Sequence, residues 1–527
     1  MYHLSQGDEL DSQYDEDQYV QRFRVHSTLS SREMINSPIS PVEPDERTHL
    51  LQASRKQVRS WTSTFLKRAL LLNVFPVLVV LAWCAIPFPN NNPYDDPDKN
   101  ISSVDYIKNN FLAYNSSLND TDSSHLPAPN SEPVEINFWF FLFFYYGFYN
   151  AIALLMITKI FDLYSLNWWP KWLGGFFAYC VFWLMSLAIG MLIYFFTGLE
   201  KHNLTWVLLT FMTMNMPLIV AFIVIRSENR NTYRHSLTLA QKTFLEPQLL
   251  HRIPTSYLRF LWFCTTIFLV IIAFIAGEAY AYVFLVSPET HSGIDAFVYV
   301  YSWLATVYIL DTVTDYILET KVRSYPLQFT FKLYFFMIYF IFYRNLFARL
   351  RDRDTYILIQ AASSLWVCIF YPLCMTRTVH RYLVCYFGLR KEYEDYQRQC
   401  GRSFFIRNLA ENATMLGFIC WIIIISNGPN KSVYPYFKFE DDLFDFDLTL
   451  RASCVIWAFE LASSAITRNI YKRVFNHDIT REAVIDFETY PELVITMIVI
   501  IIHVLQDMLM ALLSLNFEGG NAAKPRP

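Results

Sequence analysis

Apolar runs of about twenty residues recur along this chain, separated by shorter polar stretches, and the other features are placed by reference to them. A helix rises ~1.5 Å per residue, so a run of that length crosses the ~30 Å hydrocarbon core of a bilayer. Eleven runs are expected to be transmembrane helices, at 69–88, 138–157, 176–196, 206–225, 260–286, 296–318, 329–347, 356–374, 409–426, 448–470 and 491–517. Ten spans with a cytosolic C-terminus is the alternative. The expected fold class is an all-α polytopic transmembrane helix bundle with no sizeable soluble domain. The membrane domain would run from 69 to 517, followed by a short tail at 518–527.

The polar stretches between the runs set the orientation. Residues 1–60 have no periodic apolar pattern and are expected to be a disordered cytosolic tail, with no signal peptide after Met1. Arg55, Lys56, Arg59, Lys67 and Arg68 stand before the first span, which places that side in the cytosol by the positive-inside rule. The acidic loop 89–134 carries N-x-Ser/Thr sequons at Asn100, Asn115 and Asn119, as a glycosylated lumenal segment would. Further sequons at Asn203 and Asn430 also fall on the lumenal side of this alternation, Asn203 so near the membrane that its use is doubtful. Loops at 226–259 and 377–407 are basic and expected to be cytosolic, the latter as a plain loop or as a contact for anionic headgroups or a phosphorylated ligand. The segment Arg349–Asp354 breaks the rule, with three arginines on the lumenal side. Its acids offset them, a neighbouring run does not span, or an anion binds there. In the tail, Glu46 followed by Leu50 and Leu51 resembles the acidic dileucine signal that adaptor complexes read on proteins bound for endosomes, lysosomes or vacuoles.

Composition narrows the class. The chain is 54% hydrophobic and 17% charged, against about 25% charged in soluble domains. Its net charge of -4 gives no reason to expect a nucleic-acid partner. No zinc spacing, phosphate-binding loop, dinucleotide fingerprint or serine elbow occurs, so no metal or cofactor is expected. None of the nine cysteines falls in a lumenal loop, so no disulfide framework is expected.

Ionisable groups inside the runs carry the candidate chemistry. Asp311, Asp315 and Glu319 repeat every fourth residue and share one helix face. Asp311 lies ~22 Å into its helix from Ala296, while Asp315 and Glu319 approach the cytosolic mouth beside Lys321 and Arg323. Glu278, Glu460, His503 and Asp507 complete the set, the last two on one face of the final span. Lys332 and Arg344 are expected to snorkel from the ends of the seventh span, with Glu278 as a further partner for Arg344. Intramembrane carboxyls and a histidine are the groups of proton relays and ion paths. The competing reading pairs each with Arg, Lys or Tyr for structural reasons. The expected function is a proton- or cation-coupled transporter of an unknown small solute in the endomembrane system, non-enzymatic, with the lipid bilayer and an adaptor complex as partners. The alternatives are a plasma-membrane location, a receptor, scaffold or lipid-organising protein, and a membrane-embedded lipid-modifying transferase.

Overall fold

The protein is described by a computed structural model covering residues 53–89, 136–164, 173, 175–236, 255–286, 293–347, 353–387, 391–437 and 446–517, all within one compact unit, with side chains given for most of these. The dileucine residues Glu46, Leu50 and Leu51, the sequons Asn100, Asn115 and Asn119, and the tail 518–527 lie outside the described residues. So does the side chain of Glu278.

The described residues are helical, apart from short connectors and one isolated bridge between Ile136 and Phe517. In chain order they form α1 (Arg55–Thr62), α2 (Phe65–Ala85), α3 (Phe138–Tyr164), α4 (Phe176–Phe196), α5 (Asn203–Ser236), α6 (Thr255–Val286) and α7 (Gly293–Ile317). Then come α8 (Tyr325–Phe347), α9 (Arg353–Cys374), α10 (Arg377–Phe387), α11 (Tyr393–Ser426), α12 (Phe446–Val474), α13 (Ile479–Thr489) and α14 (Glu492–Leu512). Among the described residues, eight helices are long and apolar enough to cross a membrane: α2, α3, α4, α5, α6, α8, α11 and α14. Helices α7, α9 and α12 occupy the sixth, eighth and tenth expected positions without joining those eight. Polar or charged residues interrupt two of these runs, such as Asp311 and Asp315 in α7 and Glu460 in α12, and lower their hydropathy, whereas the apolar part of α9 among the described residues, Gln360–Cys374, is shorter.

Three boundaries differ from expectation. The polar tail ends early, because Ser54 caps α1 in a reciprocal capping box with Gln57. The 226–259 loop is shortened from both sides, by α5 running to Ser236 and α6 starting at Thr255. The 377–407 segment is not a loop at all, since it holds α10 and the first four turns of α11. Its charges read as loop in isolation, but on a helix Arg407 reaches Glu411 four residues on and both are buried.

Burial orders the bundle. The most apolar stretch of α14 is 94% buried and that of α8 is 83% buried, whereas that of α4 is 28% buried. Helix α8 packs against α3, α6, α7, α11 and α14, so it forms the centre, and α4 forms an outer wall. That wall seats closely at Gly190, where a Cβ would stand 2.9 Å from Leu142 and 3.1 Å from Trp206. Two asparagines tie helix ends together. Asn430 donates from Nδ2 to the carbonyls of Cys84 (2.7 Å) and Ile86 (2.8 Å) and accepts from the Phe88 amide (3.0 Å), closing the end of α2. Asn203 donates to the carbonyls of Ala511 and Leu513, closing the end of α14. These sequon asparagines are therefore packing residues in the fold, and Asn430 is buried.

Candidate functional site: buried ion pairs around one helix

Helices α7 and α8 are joined by a tight reversal. The last turn of α7 widens into a π turn at Leu318–Val322, and Arg323 then takes a left-handed conformation at φ 55°. The Ser324 amide returns to the Leu318 carbonyl (3.3 Å), so α8 starts antiparallel beside α7. Counting outward from that turn, Asp315 and Lys332 are nearly equidistant, and the hairpin sets them face to face. Lys332 Nζ lies 2.6 Å from Asp315 Oδ2 and 2.8 Å from Asp311 Oδ2, so one ammonium is shared by two carboxylates one helical turn apart. Lys332 therefore does not snorkel. Glu319, another turn along α7, pairs with Lys391 at 2.7 Å.

Arg344 follows Lys332 by twelve residues, about 18 Å along α8. It forms a two-pronged pair with Glu460 of α12, both contacts 2.6 Å, with the side chains 3% and 6% exposed. That pair replaces the snorkelling expected from the sequence, and the Glu278 side chain lies outside the described residues. A third pair lies on α11, where the Arg407 guanidinium meets both Glu411 oxygens at 3.0 and 3.1 Å. Ser464, four residues after Glu460 on α12, lies 3.5 Å from Glu411. The Arg407 guanidinium also stacks at 5.2 Å from the Phe340 ring and 5.6 Å from the Tyr371 ring. Sequence reading passed over Arg407 and Glu411, whose i,i+4 spacing of opposite charges is the pattern that marks an intrahelical pair.

Burying an ion costs several kcal/mol unless a well-placed partner offsets it, which is why all three groups are paired at hydrogen-bond distance. The balance differs among them. Arg344 with Glu460 and Arg407 with Glu411 are one to one, whereas Lys332 faces two aspartates. The Asp311–Asp315–Lys332 group thus has one carboxylate in excess.

The His503–Asp507 pair lies elsewhere, on the buried α14. Asp507 accepts a hydrogen bond from Tyr149 of α3, His503 Nε2 lies 3.5 Å from Asp507 Oδ2, and the imidazole stacks 5.5 Å from the Tyr149 ring. Near the start of α14, Lys159 of α3 is buried between Asp162 (3.0 Å) and Glu492 (3.1 Å). Glu492 also accepts from the Ala53 amide (3.1 Å), which anchors the approach to α1. Among the described residues, a cavity of about 430 Å³ beside Lys201, His202 and Ser514 is lined by none of the candidate acids. A smaller one, of about 30 Å³, lies between α7 and α9 with Arg407 in its lining. Among the described residues no cluster of three or more His, Cys, Asp or Glu side chains is placed to hold a metal ion. All nine cysteines are free.

Comparison with known proteins gives one family. Residues 54–513 match the family described as SPCC553.12c. The chain belongs to the SPCC553.12c family. A relative in Schizosaccharomyces pombe, "Uncharacterized protein C553.12c", is 33% identical over 513 residues, which cover 96% of this chain and 91% of the relative. No solved structure matches the chain. The SPCC553.12c match contains α1 to α14 and every buried ion pair described above. Eight helices among the described residues are long and apolar enough to cross a membrane, which is compatible with a membrane protein in contact with a lipid bilayer.

Proposed function

We propose that this chain is a multi-pass carrier of a small solute coupled to protons or another monovalent cation, working in the endomembrane system. The observation that carries the reading is the Asp311–Asp315–Lys332 group. An excess carboxylate beside a fixed ammonium, within a helix hairpin at membrane depth, is a site that gains by taking up one positive charge and loses little by releasing it. The balanced pairs Arg344–Glu460 and Arg407–Glu411 serve as struts that hold α8, α11 and α12 in register. The acidic dileucine pattern at Glu46, Leu50 and Leu51 and the sequons at Asn100, Asn115 and Asn119 support the endomembrane location.

The test is proton entry into proteoliposomes that hold the full chain and a trapped pH dye, driven by a potassium diffusion potential. The expected result is potential-driven acidification above empty vesicles, reduced at least tenfold in D311N/D315N. Flux equal to that of empty vesicles, with sodium and potassium tracers equally inert, overturns the reading. So does full flux in the double variant.

A further inference from the structure

Helix α8 packs on α7 and is bonded to α9 through Tyr343 and Gln360, and a cleft lies between α7 and α9. Trp366 of its lining is half exposed, and Leu365 and Ile369 near it on α9, with Ile309 next to the lining Tyr308, are exposed apolar residues. In a bundle whose exterior meets lipid, a rim of such residues opens sideways to the bilayer. The floor is polar. Tyr308 and Tyr371 hydroxyls are 3.2 Å apart, Tyr343 donates to Gln360 at 3.2 Å, and Ser363, Tyr339 and the buried Arg407 complete the lining.

Two properties of the floor select the occupant. The first is its donor chemistry. A guanidinium has five N–H groups, and the fork with Glu411 uses two of Arg407's. Together with the hydroxyls around it, the floor has hydrogen-bond donors to spare, so it suits an acceptor. The second is size. The cavity volume is small, about 30 Å³. One small polar group fits there; the phosphodiester head of a phospholipid does not.

We propose that the α7–α9 cleft binds a single-chain carboxylic amphiphile, of the fatty-acid class, entering from the bilayer. Its carboxyl group sits at Arg407 among the Tyr308, Tyr339 and Tyr371 hydroxyls, and its chain lies outward along Trp366 and Ile369. A carboxyl accepts these bonds in either protonation state, so binding is defined independently of any ion flux and stands apart from the transport reading.

The experiment is photolabelling of the full chain in phosphatidylcholine nanodiscs with a diazirine- and alkyne-bearing fatty acid, followed by peptide mapping. The expected labels fall on α7, α8 and α9, and excess oleate displaces them at least fivefold while methyl oleate and cholesterol do not. S363L, which fills the cavity, removes the labelling. R407Q/E411Q, which removes the guanidinium without stranding a charge, does the same in protein that stays monodisperse. Labels elsewhere, equal displacement by methyl oleate or cholesterol, or unchanged labelling in S363L overturn the proposal. S363L alone decides it if the double variant does not fold.

Discussion

Glu460 and Asp507 are both carboxylates in apolar helices, and both are at most 5% exposed. The folded chain holds them in opposite ways. Glu460 meets a guanidinium head-on across two helices, whereas Asp507 is held by a tyrosine hydroxyl and a neighbouring imidazole. The surroundings of Glu460 thus stabilise their acid by ion pairing, and those of Asp507, farther along α14 than the Lys159–Glu492 pair, by a hydrogen bond from Tyr149. An intramembrane acid therefore does not identify its role by its presence; the role follows from what stands opposite.

The sharpest way to break that contrast is to remove one partner. R344L leaves Glu460 buried without its cation and is expected to cost about 3–5 kcal/mol, whereas R344M/E460L, which removes both charges, recovers most of the loss. Thermal unfolding of the purified chain in detergent measures both, and equal losses in the single and double variants would show that the pair is not the source of the cost. On the other side, Y149F takes one donor from Asp507 and should cost roughly 1–3 kcal/mol. A loss as large as that of R344L would erase the distinction between the two regions.

The smallest effect lies outside the spans, at Asp486 on α13. Burial pushes its carboxyl up to about 7, against the pull of Arg402. Tyr325 donates to Oδ1 at 3.4 Å, while Oδ2 is buried with no hydrogen bond among the described residues. The folded state therefore holds this proton more tightly than the unfolded chain. The stabilisation that results is present at low pH and is lost as pH rises from the ordinary aspartate range to about 7. D486N should unfold at the wild-type temperature near pH 4 and about one or two degrees above it at pH 8. A temperature gap that stays constant across this range would mean that Asp486 does not titrate on unfolding.

Much of the fold was legible because apolar runs of sufficient length dictate helices whatever their neighbours. The positions of α2 to α9, α11, α12 and α14 follow from those runs. Their ends were harder to read. Arg398, Arg402 and Arg407 look like loop charges in one dimension, and only the helical repeat of Arg407 and Glu411 reveals that α11 begins at Tyr393. The acids were legible one at a time, as Asp311, Asp315, Glu460 and Asp507, because charge in an apolar run is conspicuous. Their partners were not. Lys332 and Arg344 sit near span ends, where the general tendency is to snorkel, and the contacts that override it are made to α7 and α12 across the fold. The burial of Asn430 was not legible either, because a three-residue motif carries no information about burial.

That asparagine has a consequence for modification of the chain. The nitrogen to which a glycan would be attached is the one that donates to Cys84 and Ile86. A glycan on that nitrogen would replace one of its two hydrogens, so a chain modified at Asn430 could not close the end of α2 with both of these bonds.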